Sequence, residues 1–239
     1  MQFISPNELL TALPPVIYER LAPRLQRVRL KVGSILFDVG ATIDYTWFIA
    51  SGILSLPGAT EDGASLEVAM ADRDSAIGFP GILRKSGIAI RAQEPIAGAA
   101  LRVSASVLQA AIKQESEIYV PLPDHTHTLS KQIAQATVCS QFHTTDQRFA
   151  RWLLLAHDRT RYGAFNITHE AIAQILGVSG SGVSLAAGAL RIGGLIRYAR
   201  GTITLLNPEG LEVYSCECYR ILCQTINPLL SPEESLAPD

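Results

Sequence analysis

The chain has 239 residues, of which 48% are hydrophobic and 18% are charged, and its formal net charge at pH 7 is −2. This composition indicates a well-packed protein of one large or two smaller domains and excludes an intrinsically disordered chain. It also excludes the strongly basic overall charge that is common in nucleic-acid-binding proteins, although a single basic face is enough to bind DNA.

Targeting signals and membrane-spanning segments are not expected. The first residues contain no basic segment followed by an apolar run, and no stretch of about 18 uninterrupted apolar residues occurs. The chain has four cysteines, few enough to indicate free thiols in a reducing compartment. We therefore expect a cytoplasmic protein without a membrane partner.

Residues 1–120 are expected to form a β-roll that senses an effector, with flanking helices. Within residues 28–108 the apolar residues recur in short runs between glycine corners, which is typical of short strands. One such corner is the turn expected at Ser51-Gly52. A later strand is indicated by the alternating apolar residues Leu66, Val68 and Met70. The whole pattern predicts an antiparallel barrel or jelly roll.

A long helix is expected within residues 121–143. Leu129, Ile133 and Ala136 recur along it at intervals typical of a coiled-coil seam. These three residues are therefore candidates for a dimer interface. The alternative is that the same stripe packs against the roll of its own chain.

Residues 144–226 are expected to form a winged helix-turn-helix. Thr168 and Ser179 are placed to cap two short helices, and Gly177 between them suits a left-handed residue that ends the first. A β-hairpin with a turn at Arg200-Gly201 follows. Two helices joined by a glycine-containing turn are typical of proteins whose second helix enters the DNA major groove. An ordinary helical hairpin is the alternative for the two helices alone.

Three runs of the sequence carry a family resemblance. KVGSILFDVGATIDYTWFIASGILSL is similar to the first hairpins of an effector domain, ITHEAIAQILGVSGSGVSLAAGALRIGGLI to a DNA-binding helix-turn-helix, and RGTITLLNPEGLE to a wing with its following helix. In all three runs, and in its order of elements, the chain resembles the Crp/Fnr family of bacterial transcription regulators. The resemblance implies an α+β chain without enzymatic activity that binds double-stranded DNA as a homodimer. It also implies a small-molecule effector and makes RNA polymerase a candidate partner.

The resemblance implies DNA contacts on the second helix, at the start of the first and on the wing. The candidate residues are Thr168, His169, Ser179, Gly180, Ser181, Gly182, Ser184, Arg191, Arg197 and Arg200. Family members commonly read bases with an Arg, a Glu and a second Arg, and here Gly180, Ser181 and Leu185 stand at those positions. None of these three forms the bidentate arginine–guanine contact. We therefore expect phosphate contacts by the arginines and sequence specificity that is low or depends on DNA shape.

The resemblance also indicates where an effector would bind. Cyclic-nucleotide members carry a Gly-Glu pair and then an Arg-Ser or Arg-Thr pair, which hold the ribose hydroxyl and the cyclic phosphate. In this sequence Phe79-Pro80 follows Gly78, and Lys85 stands near the arginine position. Together with Arg91 these residues are the candidate effector pocket. Cyclic AMP is not the expected effector.

Metal ions and other cofactors are not expected. No cysteine precedes Cys139, which excludes the N-terminal cysteine group of iron–sulfur members of the family. Cys216, Cys218 and Cys223 are expected on one helix with the first and last near one face, and packed free thiols are favoured over a metal or redox site. The two histidines within residues 125–127 lack a partner carboxylate at the spacing of a metal-dependent roll enzyme, and a haem ligand is the remaining alternative for a histidine.

The function predicted from the sequence is that of a homodimeric DNA-binding regulator with an unidentified effector. The alternative is a ligand-binding or protein-interaction module that keeps the fold but has lost specific DNA binding, which the neutral second helix and the acidic total favour. A positive face at residues 179–191 and 197–201 would favour DNA. Residues 227–239 are proline-rich and acidic and are expected to form a mobile tail.

Overall fold

The computed structural model describes residues 6–79, 91–114, 122–160 and 162–226. It contains an antiparallel β-roll, a long helix and a winged helix-turn-helix, so the predicted α+β fold class is confirmed. Its helices are α1 (Glu8–Ala12), α2 (Pro15–Leu21), α3 (Ala105–Gln114), α4 (Leu122–Phe142), α5 (Thr145–Thr160), α6 (His169–Leu176), α7 (Gly180–Ile192), α8 (Pro208–Tyr214) and α9 (Cys218–Ile226). Its strands are β1 (Gln26–Leu30), β2 (Ile35–Phe37), β3 (Tyr45–Ala59), β4 (Ser65–Ala71), β5 (Ala76–Ile77), β6 (Ala92–Ser104), β7 (Ala164–Asn166), β8 (Ile196–Ala199) and β9 (Thr202–Leu205).

One antiparallel sheet of six strands forms the roll. Its strand order is β1-β6-β3-β4, while β2 pairs with β6 and β5 pairs with β3. Apolar side chains from the strands and from α1, α2 and α3 fill the interior, among them Leu10, Ile49, Leu54 and Leu108. Each such buried side chain stabilises the fold by about 1.5–3 kcal/mol relative to exposure.

The predicted turn at Ser51-Gly52 is wrong, because β3 continues through both residues. The pairing of β3 with β6 shifts register between Ile49 and Ile53, as happens at a β-bulge. Gly52 has a φ of +82°, and a Cβ there would lie 2.7 Å from the carbonyl oxygen of Ile96. A glycine is therefore required where the two backbones approach, and the strand is bulged there instead of ending.

The C-terminal part packs α5, α6 and α7 against a three-stranded sheet of order β7-β9-β8. β8 and β9 are the predicted wing hairpin, which the structure confirms. β7 is a third strand that the sequence analysis missed, and it pairs Phe165 with Ile203 of the wing. The core between the helices and the sheet is apolar, with Phe149, Val183 and Leu190 fully buried.

The roll and the C-terminal part share one hydrophobic core. Ile53, Met70 and Ile96 of the roll belong to the same buried cluster as Phe149 and Trp152 of α5. β4 is the strand at which the two parts meet, because α4 and α6 contact it and Trp152 and Arg159 of α5 donate hydrogen bonds to it. The predicted domain limits of 1–120, 121–143 and 144–226 stay predictions, and the tail at 227–239 lies outside the described residues.

Within the described ranges, no single helix is long and apolar enough to span a membrane. Only α6 and α7 taken together are long and apolar enough, and these two helices lie at 97° to each other. That angle falls within the range of about 90–120° found between the helices of a helix-turn-helix.

Candidate nucleic-acid interface

The turn between α6 and α7 is built by three local signals, all of which the sequence predicted. The Thr168 hydroxyl oxygen accepts a hydrogen bond from the Ala171 amide at 3.1 Å and caps α6. Gly177 ends α6 with a φ of +63°, in the left-handed region. The Ser179 hydroxyl oxygen accepts from the Gly182 amide at 3.3 Å and caps α7. These caps fix where each helix begins, and so fix the face that α7 presents to solvent.

One face of α7 is buried and the other is open. Val183, Ala187 and Leu190 are buried against the domain core, as predicted. On the opposite face the side chains of Leu185 and Ile192 are 76% and 86% exposed. We call the open face of α7 and the wing tip the α7–wing surface, which consists of Ser179, Gly180, Ser181, Ser184, Leu185, Arg191, Arg197 and Arg200, all of them exposed.

The serines of the α7–wing surface are engaged within the helix. The Ser184 hydroxyl donates to the Gly180 carbonyl oxygen at 3.1 Å, and the hydroxyls of Ser179 and Ser181 lie 2.8 Å apart. Ser184 therefore keeps acceptor capacity but no free proton in this state. Such a helix is better suited to accept hydrogen bonds from base amino groups or to contact bases through apolar atoms than to donate.

The α7–wing surface is positively charged. Between Glu170 and Glu209 the sequence contains three arginines, Arg191, Arg197 and Arg200, and no acidic residue. None of the three makes a salt bridge within residues 6–79, 91–114, 122–160 and 162–226. Although the overall charge is −2, this face therefore carries a local surplus of positive charge. A positive charge on this face is the feature expected to favour DNA binding over an interaction module.

The wing tip holds Arg200 in an unusual backbone conformation. Arg200 has a φ of +52° and Gly201 one of +77°, so both residues between β8 and β9 are left-handed, as in a type I′ hairpin turn. This conformation costs a residue with a Cβ about 1–2 kcal/mol, and asparagine or glycine occupies it more readily. An arginine is therefore kept at the tip at some cost to stability.

His169 supports the wing from α6. Its ring centroid lies 5.0 Å from that of Tyr198 on β8, and the Tyr198 hydroxyl donates to the Ile167 carbonyl oxygen at 3.3 Å. Burial and the nearby Glu170 carboxylate raise the pKa of Tyr198. The structure thus gives His169 a packing contact with the wing at the edge of the α7–wing surface, while Thr168 acts as the cap of α6.

Helix α6 lies against the roll. The Ser65 hydroxyl of β4 donates to the Gln174 carbonyl oxygen at 3.5 Å, and a Cβ on Gly177 would lie 3.2 Å from the Ser65 carbonyl oxygen. Arg148 of α5 also donates to the carbonyl oxygen of Leu176. The same helix-turn-helix therefore has one docked helix and one open helix.

A buried carboxylate on β4 contacts α5. The indole Nε1 of Trp152 donates to Glu67 Oε1 at 3.0 Å, and both side chains are buried. Burial raises the pKa of Glu67 from its ordinary value of 4.5 to about 7, against the opposing influence of a hydrogen bond from Ser55 and of two nearby arginines. Glu67 therefore titrates near neutral pH at the junction of the two parts of the chain.

A buried salt bridge lies at the other end of β4. Arg159 donates to the Met70 carbonyl oxygen at 2.8 Å and lies 3.5 Å from an Asp72 carboxylate oxygen. Burial raises the pKa of Asp72 to about 7, and Arg159 opposes that rise. Gln132 of α4 joins the contact, since its side-chain oxygen accepts from the Met70 amide at 3.1 Å.

Sequence reasoning missed this junction because β4 does not alternate regularly. Its pairing with β3 passes from Leu56 opposite Ala69 to Pro57 opposite Glu67, so Val68 is an extra residue. Glu67 and Met70 consequently both face the helices, whereas strict alternation would place them on opposite sides. No local pattern in the sequence marks such an irregularity.

The candidate effector residues are only partly described. Gly78 has a φ of +92°, and a Cβ there would lie 2.7 Å from the Tyr45 carbonyl oxygen, so this glycine serves the packing of the roll. Phe79 is buried in the roll core. Arg91 is bound through two nitrogens to Asp38 at 3.0 and 3.1 Å, and this pairing holds the pKa of Asp38 below its usual range. Pro80 and Lys85 lie outside the described residues.

Glu94 on β6 is a buried ionisable group that the sequence analysis did not single out. Its side chain is 0% exposed, and neither carboxylate oxygen has a hydrogen-bond partner in the described part of the chain. Burial raises its pKa to about 9. Glu94 is therefore protonated at neutral pH, which removes the cost of an unpaired buried charge.

The three residues proposed for a dimer seam pack within their own chain. Leu129 and Ile133 of α4 are partly buried against the roll core of their own chain, and Ala136 is buried. On the open side of α4, Val138 and Phe142 are 48% and 75% exposed. The alternative of packing within the chain therefore describes these three residues, and a separate apolar strip beside them is open.

Comparison with known protein families identifies the C-terminal part. Residues 147–214 match the family model of the Crp-like helix-turn-helix domain. This range contains α6, α7 and the wing, and so the whole α7–wing surface. Comparison with curated protein sequences finds no match.

Solved structures are similar to the chain over most of their own length. A protein described as a Crp/Fnr-family transcriptional regulator from Eubacterium rectale has a TM-score of 0.68 and 19% identity, covering 88% of this chain and 99% of that one. FixK2 from Bradyrhizobium japonicum has a TM-score of 0.66 and 17% identity over 80% and 98% of the two chains. The c-di-GMP-responsive regulator CLP from Xanthomonas campestris has a TM-score of 0.64 and 16% identity over 80% and 99%. At these identities the likeness shows the fold, and with the family model it confirms the resemblance found in the sequence.

Proposed function

Because this chain has a Crp-like helix-turn-helix domain and the fold of the Crp/Fnr regulators, we propose that it is a transcription regulator that binds double-stranded DNA as a homodimer. The observation that carries the proposal is the α7–wing surface, which is open and holds three arginines that form no salt bridge within the described residues. The proposal contains no catalytic step. It places the protein in the cytoplasm, where DNA and RNA polymerase are both available.

In this proposal α7 enters the major groove and the arginines contact phosphates. Gly180 at the N-terminal end of α7 has no side chain and open space around it, so the backbone there can approach the base edges closely, whereas a Cβ on Gly182 would lie 3.3 Å from Val178. Arg197 and Arg200 on the wing and Arg191 at the far end of α7 flank the helix, as phosphate contacts on either side of a groove would. Each phosphate that is neutralised releases counterions, so binding weakens steeply with added salt.

Helix α7 would recognise the DNA sequence with few hydrogen bonds to the bases. Leu185 stands where the family commonly has its second arginine, and its exposed side chain suits contact with a thymine methyl group. Ser181 and Ser184 add acceptors but not bidentate contacts. The remaining selectivity would come from the shape and deformability of the DNA.

The homodimer would form along α4. Ala134, Val138 and Phe142 recur every four residues on its open side, next to the predicted residues Leu129, Ile133 and Ala136. A two-fold axis along this helix would place two copies of α7 about 34 Å apart, one turn of DNA, on a symmetric site. The proposed effector is an unidentified small molecule other than cyclic AMP, because Phe79-Pro80 and Lys85 stand where cyclic-nucleotide members carry their glutamate and arginine.

Footprinting of purified protein on candidate promoters in moderate salt tests the proposal. We expect protection of a symmetric site and a loss of affinity for all sequences alike in Arg197→Ala. The matched control is Arg29→Ala, which removes an exposed arginine of the roll and should leave binding unchanged. No protected site on any promoter, or equal losses in both variants, would support the alternative of an interaction module without specific DNA binding.

A further inference from the structure

Four metal-ligating side chains meet where the long helix ends. Cys139 and His143 come from the end of α4, and Cys216 and Cys218 come from the segment between α8 and α9. One ligand atom of each lies within 4.8 Å of those of the other three. The Cys139 and Cys216 sulfurs are 3.6 Å apart, and His143 Nδ1 is 3.6 Å from the Cys218 sulfur. All three cysteines are buried and none is in a disulfide.

The two separations of 3.6 Å match the edges of a tetrahedral zinc centre. Zinc binds thiolate sulfur at about 2.3 Å and imidazole nitrogen at about 2.0–2.1 Å, so neighbouring ligand atoms lie about 3.5–3.8 Å apart. Three cysteines and one histidine form a complete ligand set of the structural, closed type. We propose that Cys139, His143, Cys216 and Cys218 bind one Zn²⁺ ion.

Surrounding groups already orient two of the ligands. His143 directs Nδ1 toward the Cys218 sulfur, while its Nε2 lies 3.2 Å from a Glu217 carboxylate oxygen. A carboxylate on the outer nitrogen is the usual support of a zinc-binding histidine, because it fixes the ring and its tautomer. The Gln135 amide donates to the Cys218 sulfur at 2.9 Å, as an outer group does to a thiolate ligand.

The donor set selects among metals. Thiolate and imidazole donors favour zinc over calcium and magnesium, which prefer oxygen. The crowding of the four ligand atoms excludes an iron–sulfur cluster, because the iron and sulfide ions of a cluster must lie between its cysteines. A disulfide between Cys139 and Cys216, whose sulfurs are 3.6 Å apart, is the competing arrangement, and it would leave Cys218 and His143 without a role.

The arrangement corrects the prediction made for the C-terminal cysteines. Cys216 precedes α9, which begins at Cys218, so these two residues share a cluster instead of lying on different faces of one helix. Cys223 is the one of the three that lies elsewhere, half-buried against the domain core beside Tyr219. The available signal was the pair of spacings Cys-x3-His and Cys-x-Cys, which places both donors of each pair on one side of a short segment.

The proposed ion would join α9 to the end of α4. Only Thr144 separates His143 from the first residue of α5, so the site lies at the junction between the long helix and the helix-turn-helix domain. Because a structural zinc ion stabilises the folded state that binds it, the ion would fix the direction in which α5 leaves α4. The proposal concerns metal content and does not depend on DNA binding.

Metal analysis of protein purified without a polyhistidine tag and without chelators tests the proposal. We expect about one zinc per chain in the wild type and in Cys223→Ser, which removes a cysteine outside the cluster. Cys218→Ser and His143→Gln should lose most of it, because a three-donor site binds a structural zinc far more weakly. Circular dichroism establishes that each variant is folded.

If a variant fails to fold, cobalt substitution of the wild-type protein still tests whether the four residues bind a metal ion. One equivalent of Co²⁺ added to metal-free protein should give the intense visible bands of tetrahedral cobalt and a thiolate charge-transfer band, both removed by zinc. The proposal is overturned by wild-type protein that takes up neither ion, by the same zinc content in all four proteins, or by a Cys139–Cys216 disulfide found by mass spectrometry.

Discussion

The two helices of the helix-turn-helix face opposite surroundings. Helix α6 is docked on β4 of the roll, the strand at which Glu67 accepts a hydrogen bond from Trp152 and after which Asp72 forms a salt bridge with Arg159. Helix α7 is open, and the arginines around it have no acidic partner in the described residues. Charge that is paired inside the molecule contributes to the fold, whereas charge left unpaired on one open face is available to a ligand of opposite sign.

The largest effect is expected from the docked side, at Trp152. Trp152→Ala removes a side chain that is 1% exposed and leaves the Glu67 carboxyl without its indole donor. We expect the free energy of unfolding in urea to fall by about 3–5 kcal/mol. Trp47→Ala, at a half-exposed position of the roll, should cost clearly less. Equal costs at the two tryptophans would mean that the junction with β4 is not a tightly packed part of the fold.

The contribution of Glu67 to the free energy of unfolding is expected to change with pH by about 1–3 kcal/mol. Its pKa in the folded protein is about 7, above the ordinary value of 4.5, so the folded state holds this proton more tightly than the unfolded state. The stability that Glu67 contributes is therefore full below about pH 4.5 and is lost as the pH rises to about 7. Arg151 and Arg159 face the carboxyl and limit the loss.

Glu67→Gln measures this contribution, because the amide keeps an acceptor for Trp152 but does not titrate. The difference in unfolding free energy, wild type minus variant, should decrease between about pH 4.5 and 7. Subtraction cancels the titration of Asp72 and Glu94, which both proteins share. A difference that is constant or increases with pH would show that Glu67 is not held protonated at the junction.

On the α7–wing surface, Arg200→Asn is expected to raise stability and to weaken DNA binding. Asparagine adopts the left-handed conformation of Arg200 more easily, so the unfolding free energy should rise by up to about 1 kcal/mol. Loss of one phosphate contact should weaken binding to all sequences alike and reduce the salt slope by about 1. Selective loss at one sequence would instead assign Arg200 a base contact, and unchanged binding would remove the wing tip from the interface.

The smallest change is expected for Gly180→Ala at the start of α7. A Cβ there would have no atom within 4 Å, and alanine favours the helix, so stability should be unchanged or rise by a few tenths of a kcal/mol. DNA affinity should fall if the backbone approaches the groove at this point. Gly188→Ala, also without a neighbour within 4 Å, is the matched control. Binding lost equally in both would argue against a close approach at Gly180.

The sequence could predict those features of the fold that depend on residues close together in the chain. The caps at Thr168 and Ser179 and the stop at Gly177 are local, because each depends on residues within one turn of the chain. The extra residue Val68 in β4 and the bulge at Gly52 depend on pairing with distant strands. The docking of α6 and the meeting of Cys139 with Cys216 bring together residues far apart in sequence. The spacings Cys-x3-His and Cys-x-Cys indicate two donor pairs, but one sequence without tertiary contacts does not show that the two pairs meet.

The central claim is that the α7–wing surface binds DNA at symmetric sites. The most direct measurement is an unbiased selection of genomic fragments bound by the purified protein, run in parallel with Arg197→Ala. We predict that the wild type enriches fragments sharing two half-sites about one helical turn apart, and that the variant recovers far fewer. Recovery without a shared motif, or equal recovery by both proteins, would contradict the claim.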